Sequence, residues 1–256
     1  MPLAGGMGSG GAVVRVGDTV RRPIRPHSAT VALFLRHLEA VGFEGAPRHL
    51  GLDEHGREAL TFIEGDVGTP PYPAWVGDET LLLGVARLQR ELHVAAATFV
   101  PPPDAVWDRA NLPEPDPGAV VCHNDLCVEN VVVRDGHVVA FIDFDFAAPG
   151  DPLLDIAIAA RHWVPMRDPV DVDPALRGLD QVERFRAFCA AHGLDGEARA
   201  QVVDHLGPFL DRALGSMRRR AESGLEAYVR AWEAGYPAQN RRSRAWLDTH
   251  AVGLRA

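Results

Sequence analysis

The pattern of apolar and polar residues changes along the chain, predicting mainly strands first and mainly helices afterwards. Apolar residues that alternate between glycine, proline and acidic residues predict four strands near the start. These strands lie at residues 12–16, 19–22, 48–52 and 58–63. Apolar residues spaced three and four apart predict amphipathic helices, with Ser28 suited to cap the first. These helices lie at residues 28–41, 80–93, 151–163, 181–192, 197–220, 225–232 and 241–250.

The strongest local signal is a β-hairpin in the middle of the chain. Two β-branched runs at residues 131–133 and 138–142 flank an Asp-Gly pair, and this arrangement is typical of a tight hairpin turn. Asn130 precedes the first strand and Asp143 follows the second, so the hairpin places both at one rim. Asp125 lies a few residues upstream on the same rim.

A carboxylate, an amide and a second carboxylate at one rim suit a Mg²⁺–triphosphate site. Mg²⁺ is usually held by one or two protein oxygens together with phosphates and water, so Asn130 and Asp143 are the predicted metal ligands. Asp125 is then free to orient a substrate hydroxyl and accept its proton. The spacing His123-x-Asp125-x4-Asn130, followed by Ile142 and Asp143, matches the general template for phosphoryl transfer.

These motifs resemble the aminoglycoside phosphotransferase-like family, small-molecule kinases of the protein-kinase-like fold. That family shows a His-x-Asp-x4-Asn loop, an Ile-Asp-Phe strand end and a downstream Gly-Asp-Pro that is followed by a further Asp. Here they read HNDLCVEN at residues 123–130, IDF at residues 142–144 and GDPLLD at residues 150–155. The resemblance implies that Asp125 is catalytic and that His123 and Asp155 support the catalytic loop.

The resemblance also implies an α+β, protein-kinase-like bilobal fold. Residues 1–64 would form a small, mostly antiparallel-sheet N-lobe that binds nucleotide, and residues 65–75 a hinge or linker. Residues 76–256 would form a larger, mainly helical C-lobe. Within that lobe the catalytic loop would lie at residues 121–130 and the metal-binding strand end at residues 141–146.

The cofactors implied are ATP or GTP and Mg²⁺. The glycine-rich run at residues 5–11 resembles the nucleotide-covering loop, in which Gly8, Ser9 and Gly10 would lay backbone N–H groups against phosphates. At the expected hinge, the backbone groups of Thr61 and Ile63 would pair with adenine.

All 26 basic residues are Arg, so the cation that contacts the phosphates must be an Arg. Arg21 falls roughly where the family places that residue, and Arg22, which alternates to the opposite strand face, is the fallback. The family's helix Glu that pairs with this cation falls near Thr30 or Val31. Neither residue is acidic, so the usual ion pair is not predicted.

The composition of the chain limits the kinds of partner that we expect it to bind. A formal net charge of -9 disfavours nucleic acid and is compatible with a cationic acceptor. No apolar run reaches a membrane span and no secretory signal is present, so no membrane partner is expected. Three cysteines without a CxxC pair predict free thiols and a cytoplasmic setting. The sequence does not predict an oligomeric state.

The acceptor is predicted to be a polar or cationic small molecule with a hydroxyl group, an antibiotic such as an aminoglycoside being one example. Asp168, Asp171 and Asp173 could line its pocket, although acids in a proline-rich loop are more often solvated. Two alternatives stay open. A catalytically weak or inactive kinase-like protein would sequester a nucleotide or antibiotic, as an immunity protein does. A phosphatase would use Asp143 as nucleophile, but it would leave the HNDLCVEN loop without a role.

Overall fold

A four-stranded antiparallel sheet occupies the N-terminal part of the described chain, which comprises residues 13–256 of a computed structural model. The sheet order is β1-β2-β4-β3. The strands are β1 Val14–Val16, β2 Thr19–Arg22, β3 His49–Leu52 and β4 Glu58–Thr61. Gly17, with φ +58°, makes the turn between β1 and β2. Gly8, Ser9 and Gly10, the residues expected to cover the nucleotide, lie outside the described residues.

One helix packs between this sheet and the rest of the molecule. Helix α1 spans Ser28–Ala40 and buries Val31, Phe34 and Leu38 completely. Ser28 is the first helical residue and not the cap, which is His27. The Ser28 hydroxyl instead accepts a hydrogen bond from the Arg25 N–H at 3.0 Å, so the predicted capping role was wrong by one position.

The predicted hairpin is confirmed. Strand β6 spans Val131–Arg134 and strand β7 spans His137–Phe141, paired antiparallel. The two turn residues, Asp135 and Gly136, have φ of 52° and 74°, the positive values that the favoured two-residue hairpin turn requires. Gly accepts this conformation freely, and Asp is among the few other residues that tolerate it.

A second, shorter strand pair brackets the hairpin and was not predicted from the sequence. Strand β5 spans Val120–Cys122 and pairs antiparallel with β8, which spans Ala148–Gly150. Because β5 leads into the predicted catalytic loop and β8 follows the predicted metal-binding strand end, their pairing closes the segment that carries both. The three-residue strands are too short to give a period-2 pattern.

The helical part accounts for most of the remaining chain. Its helices among the described residues are α2 Glu79–Ala96, α3 Pro152–Trp163, α4 Gln181–His192, α5 Gly196–Glu222, α6 Glu226–Glu233 and α7 Tyr236–Arg255. Trp163, Phe185 and Phe188 are fully buried where these helices meet, and each such burial stabilises the fold by about 1.5–3 kcal/mol. Residues 13–256 contain no helix with the length and hydropathy that a transmembrane span needs. The α+β class is confirmed.

The segment between sheet and helices is anchored to the hairpin. Asp66 and Val133 exchange two backbone hydrogen bonds, of 2.7 and 2.8 Å. Gly65 just before has φ +146°, and a Cβ there would lie 2.6 Å from the Val133 carbonyl oxygen. Only glycine fits this close approach. The division at residues 64 and 65 into lobe and linker stays a prediction.

Candidate active site

The loop between β5 and β6 is held in shape mainly by Asn124. This residue adopts φ 62°, a left-handed conformation that Asn tolerates better than most residues. Its side-chain amide donates to the carbonyl oxygens of Cys122, Phe146 and Ala148 at 3.1–3.2 Å. These bonds tie the loop to the strand end beyond Asp143, so the two segments hold a common geometry.

Three of the predicted site residues meet on this frame. The Asn130 side-chain amide donates to the backbone and side-chain oxygens of Asp125, at 2.8 and 3.1 Å. Its carbonyl oxygen Oδ1 is thereby left as the group that can bind a metal. The Ile142 N–H donates to the Asn130 carbonyl at 2.9 Å, which places Asp143 beside Asn130 at the same rim. Asp143 has φ 61°, a strained conformation that clusters at functional sites.

Negative charge is concentrated where the metal is expected. Burial, and next the charge of Asp143, raise the pKa of Asp125 to about 8. Burial, and next the charge of Asp145, raise the pKa of Asp143. Both shifts mean that ionising the two carboxylates together is unfavourable without a cation. A divalent cation with oxygen ligands would offset that repulsion, so the donor set Asn130 and Asp143 fits Mg²⁺.

Asp145 behaves differently because basic groups surround it. It lies 2.6 Å from Arg22 Nη1, 3.1 Å from Arg25 Nε and 3.6 Å from His27 Nε2. Burial acts to raise the pKa of Asp145, but these groups outweigh burial and hold it below the ordinary value. Asp145 therefore stays ionised and organises the basic cluster.

His123 and Asp155 contact the segments that carry the predicted site, and their supporting role stays a prediction. His123 is fully buried, contacts Phe144 with ring centroids 4.5 Å apart, and lies 3.0 Å through Nε2 from the Ile142 carbonyl oxygen. Burial lowers its pKa to about 4, so it is neutral. Asp155 accepts the Asn124 N–H at 2.6 Å. Asp155 thus fixes the backbone of the loop between β5 and β6.

Two partners of Asp155 were not identified as functional from the sequence. Gln89 Nε2 donates to Asp155 at 2.9 Å, and His93 Nε2 lies 2.7 Å away. Burial alone would raise the pKa of Asp155, but the hydrogen bonds from these two side chains keep it below its usual value. The Leu-His ending of the predicted helix was the only sequence signal, and a lone His at a helix end is usually structural.

The structure brings Arg22 to the site and does not bring Arg21. Arg22 is 8% exposed, and its Nη1 lies 3.6 Å from Asp143 Oδ1. Arg21, on the opposite face of β2, lies instead 3.5 Å from Asp53. Arg22 Nη2 is buried and has no hydrogen-bond partner in the described chain. A buried guanidinium nitrogen without an acceptor is costly, and a phosphate oxygen would satisfy it bidentately with its neighbour.

The acid that holds Arg22 comes from the sheet and not from helix α1. Glu58 on β4 is 1% exposed and accepts from Arg22 Nε at 2.6 Å. Arg22 and Glu58 are direct cross-strand partners in the β2–β4 register. At the position expected for a helix Glu, Thr30 instead accepts the Val106 N–H through its hydroxyl at 3.0 Å. The missing helix Glu therefore does not leave the cation without an acid.

The two arginines give a matched test. We expect Arg21→Gln to keep nucleotide binding, and we expect the double variant Arg22→Gln with Glu58→Gln to weaken it at least tenfold. The double variant is used because Glu58 alone, buried without its cation, would cost about 3–5 kcal/mol of stability. The dissociation constants for Mg²⁺–ATP and Mg²⁺–GTP, measured by calorimetry, decide the matter. If only Arg21→Gln weakened nucleotide binding, the phosphate contact would belong to Arg21, on the opposite face of β2.

The expected adenine-binding backbone lies at the end of β4. Thr61 is its last residue, and its side-chain hydroxyl accepts the Arg48 N–H at 2.9 Å. The Phe62 N–H donates to the Asp18 carbonyl at 2.8 Å. Within the described residues, no backbone carbonyl accepts the Ile63 N–H. Ile63 therefore retains the donor that adenine recognition requires, and its role stays a prediction.

A cavity of about 320 Å³ is linked to the predicted catalytic loop through Tyr72. Tyr72 lines it and donates its hydroxyl to Glu129, within the catalytic loop, at 3.1 Å. Of the three acids suggested for a cationic substrate, Asp171 and Asp173 line this cavity and Asp168 does not. The cavity adjoins the catalytic loop, which makes it the candidate acceptor pocket.

The two acids in the cavity are already used within the protein. Asp171 is paired with Arg242 through two contacts of 2.5 and 2.8 Å. Asp173 accepts the Ala175 N–H at 2.9 Å and the Tyr72 N–H at 3.3 Å. Asp171 is thus neutralised by Arg242, and Asp173 is the one of these two acids that has no ion-pair partner among the described residues. The geometry therefore does not give the cluster of free acids that the acidic-pocket hypothesis needs.

Comparisons with known proteins agree with the site. The model of the phosphotransferase enzyme family, APH, matches residues 73–189, which contain Asp125, Asn130, Asp143 and Asp155. A protein named trifolitoxin immunity protein, from Rhizobium leguminosarum bv. trifolii, is 34% identical over 259 residues, covering 95% of this chain and 94% of that protein.

Two solved structures share the fold. An amicoumacin kinase in complex with AMP-PNP, Ca²⁺ and Ami superposes with a TM-score of 0.64 at 15% identity, covering 93% of this chain and 88% of that chain. A choline/ethanolamine kinase family protein from Mesorhizobium loti superposes with a TM-score of 0.60 at 17% identity, covering 95% and 88%. These likenesses confirm the kinase-like bilobal fold that the motifs implied.

Proposed function

The chain belongs to the phosphotransferase enzyme family, and from that premise we propose that it transfers the γ-phosphoryl group of ATP or GTP to a hydroxyl of a small molecule. The observation that carries the proposal is the convergence of Asp125, Asn130 and Asp143 at one rim, where Arg22 Nη1 lies 3.6 Å from Asp143 Oδ1. A relative of this fold was solved with AMP-PNP and a divalent cation, which supports a nucleotide in the same cleft.

Each residue has a distinct task in this mechanism. Asp125 orients the acceptor hydroxyl and takes its proton as the oxygen attacks the γ-phosphorus and the nucleoside diphosphate leaves. Arg22 contacts the phosphate oxygens, and Glu58 and Asp145 hold the Arg22 guanidinium in place. Asn130 and Asp143 would hold Mg²⁺, which neutralises phosphate charge when bound. Catalysis then comes mainly from positioning and electrostatic stabilisation.

The test is direct phosphoryl transfer. Purified protein with ATP or GTP and Mg²⁺ is mixed with hydroxylated acceptors, including aminoglycosides, amino alcohols, sugars and hydroxy acids, and products are identified by mass spectrometry. An acceptor that gains one phosphoryl group, in stoichiometric balance with the nucleoside diphosphate, supports the proposal. Binding of nucleotide without any transfer across the panel counts against it.

A second candidate is an immunity protein that binds a toxin or antibiotic without turnover. The observation that favours it is the 34% identity with the protein named trifolitoxin immunity protein. The two candidates predict different behaviour for Asp125→Asn. If the variant still protects a sensitive host, the result supports sequestration. If protection and phosphoryl transfer are both lost, the result supports the kinase.

A further inference from the structure

Two arginines, Arg161 buried and Arg167 half-buried, lie beside the candidate acceptor pocket without an ion-pair partner among the described residues. Arg161, on the last turn of α3, is 9% exposed, and its Nε has no hydrogen-bond partner in the described chain. Arg167 lines the cavity, and its buried Nε is likewise unpartnered. Its Nη2 donates to the Arg161 carbonyl at 3.1 Å, so the two side chains belong to one cluster.

Asp171 and Glu129 act to raise the pKa of Arg167, but burial and the charge of Arg161 outweigh them. No carboxylate among residues 13–256 lies within ion-pair distance of Arg161 or Arg167, since Asp171 pairs with Arg242 and Asp173 accepts two backbone N–H groups. Burial lowers the pKa of both arginines, and each guanidinium remains charged. His162 lines the same cavity, and burial together with these two charges keeps its pKa well below the usual value. It contributes a neutral ring.

An uncompensated buried cation destabilises a folded protein by several kcal/mol. The carbonyl groups at the end of α3 offset part of this cost, as helix C-termini do for cations. They do not explain why two guanidinium groups share one unpaired cluster at the edge of a cavity. Groups that lower stability in this way are frequent at ligand sites, where the ligand supplies the complementary charge.

The cavity has the right position for the acceptor. Tyr72 lines it and donates to Glu129 in the catalytic loop, four residues beyond Asp125. A molecule seated against Arg167 can therefore direct a hydroxyl towards that loop. The planar guanidinium matches a carboxylate in two parallel hydrogen bonds, so Arg167 can bind a carboxylate group of the acceptor.

We propose that this cavity binds a carboxylate group of the acceptor, so that the substrate is a hydroxylated carboxylic acid and not a polycation. The proposal rests on the proposed kinase function for the role of the bound molecule. Arg167 contacts the carboxylate from the cavity wall. Arg161, next to Arg167, adds a second positive charge that attracts the carboxylate. Tyr72 and Glu129 connect this subsite to the catalytic loop.

The experiment compares matched acceptors that differ only in charge. N-acetyl-L-serine, N-acetyl-L-threonine and D-glycerate are each tested against their methyl esters at millimolar concentration, by ligand-dependent thermal shift and by phosphoryl transfer. We expect at least a tenfold preference for the free acids in the parent protein. Arg167→Gln and Arg161→Met should each lose that preference, while Arg134→Gln, an exposed arginine at the hairpin turn, should keep it.

Thermal stability without ligand gives an independent readout. Because burial disfavours the charge of both arginines and neither forms an ion pair among the described residues, Arg161→Met and Arg167→Gln should unfold at the same temperature as the parent or higher. Unfolding several degrees lower, with acid and ester treated alike, would assign both arginines a structural role and overturn the proposal. The proposal would also be overturned if the free acids caused no thermal shift in a protein whose unfolding midpoint still rises with Mg²⁺–nucleotide. That control separates failure here from failure of the kinase function.

Discussion

Asp125→Asn is expected to lower the rate of phosphoryl transfer by about a thousandfold, the usual loss when a positioned general base is removed. Asn keeps the size of the side chain and a hydrogen-bond acceptor for Asn130, but it cannot take the hydroxyl proton. Nucleotide binding should be retained, since Asn130, Asp143 and Arg22 are unchanged. Single-turnover transfer and nucleotide dissociation constants measured on the same preparation separate the two effects.

The same substitution should stabilise the protein in the absence of metal. The pKa of Asp125 is raised to about 8 in the folded state by burial and by Asp143, against an unfolded value of about 3.9. The charged form is therefore penalised on folding, and this penalty grows as pH rises from about 4 towards about 8. We expect the variant to unfold at a higher temperature than the parent at neutral pH, with the difference vanishing near pH 4. A rate loss below about tenfold, or a variant less stable than the parent at neutral pH, would contradict the role given to Asp125.

Asp155→Ala is expected to destabilise the fold by about 3–5 kcal/mol, because it leaves two buried donors and one partly buried donor without their acceptor. These are the Asn124 N–H, Gln89 Nε2 and His93 Nε2. Asp155→Asn serves as the matched control. It keeps one acceptor and the side-chain volume, so its loss of stability should be clearly smaller. Denaturant unfolding of the three proteins, followed by circular dichroism, gives the comparison.

The effect of Asp155 should depend on pH in a defined direction. The pKa of Asp155 is lowered in the folded state, so its contribution is fully present above the unfolded carboxyl value of about 3.9. It is lost as pH falls through the lower folded value. Parent and Asp155→Ala should therefore differ most near neutral pH and converge in acid. Equal unfolding free energies at pH 7 would show that Asp155 does not brace the loop.

Local signals predicted the central hairpin correctly. The Asp-Gly pair requires positive φ at two successive residues, and Asp135 and Gly136 adopt it. The hairpin then places Asn130 beside Asp143 with no further information. For the same reason, the meeting of Asp125 with Asn130 followed from a short loop. These parts of the site depend on residues close in sequence.

Longer-range features could not be predicted in this way. Strand alternation showed that Arg21 and Arg22 face opposite sides, but the side that faces the cleft depends on the pairing of Arg22 with Glu58, 36 positions away in the sequence. No local pattern marks that register. The partners of Asp145 and Asp155 likewise come from separate elements, which meet only when the core packs.

The acceptor pocket shows a different limit of sequence reasoning. Three acids in one loop favoured a cationic ligand, because charge was counted and the partners of each acid were unknown. In the fold, Asp171 is neutralised by Arg242 and Asp173 caps a turn. Arg161 and Arg167 instead each keep a buried Nε without a hydrogen-bond partner in the described chain. The sign of the charge that a pocket presents to a ligand therefore depends on which side chains are buried and paired. It does not follow from the number of acidic residues in the loop.

The most direct test of the metal–nucleotide site is a thermal-shift titration with ATP and GTP, each with and without Mg²⁺. It is run on the parent, on Asp143→Asn and on Asp135→Asn, an exposed turn residue that serves as control. A ligand that binds only the folded state raises the unfolding midpoint by mass action. We predict a Mg²⁺-dependent rise in the parent and in Asp135→Asn that is absent in Asp143→Asn. An equal rise in all three proteins, or none in the parent at millimolar nucleotide, would contradict a metal–nucleotide site at Asn130 and Asp143.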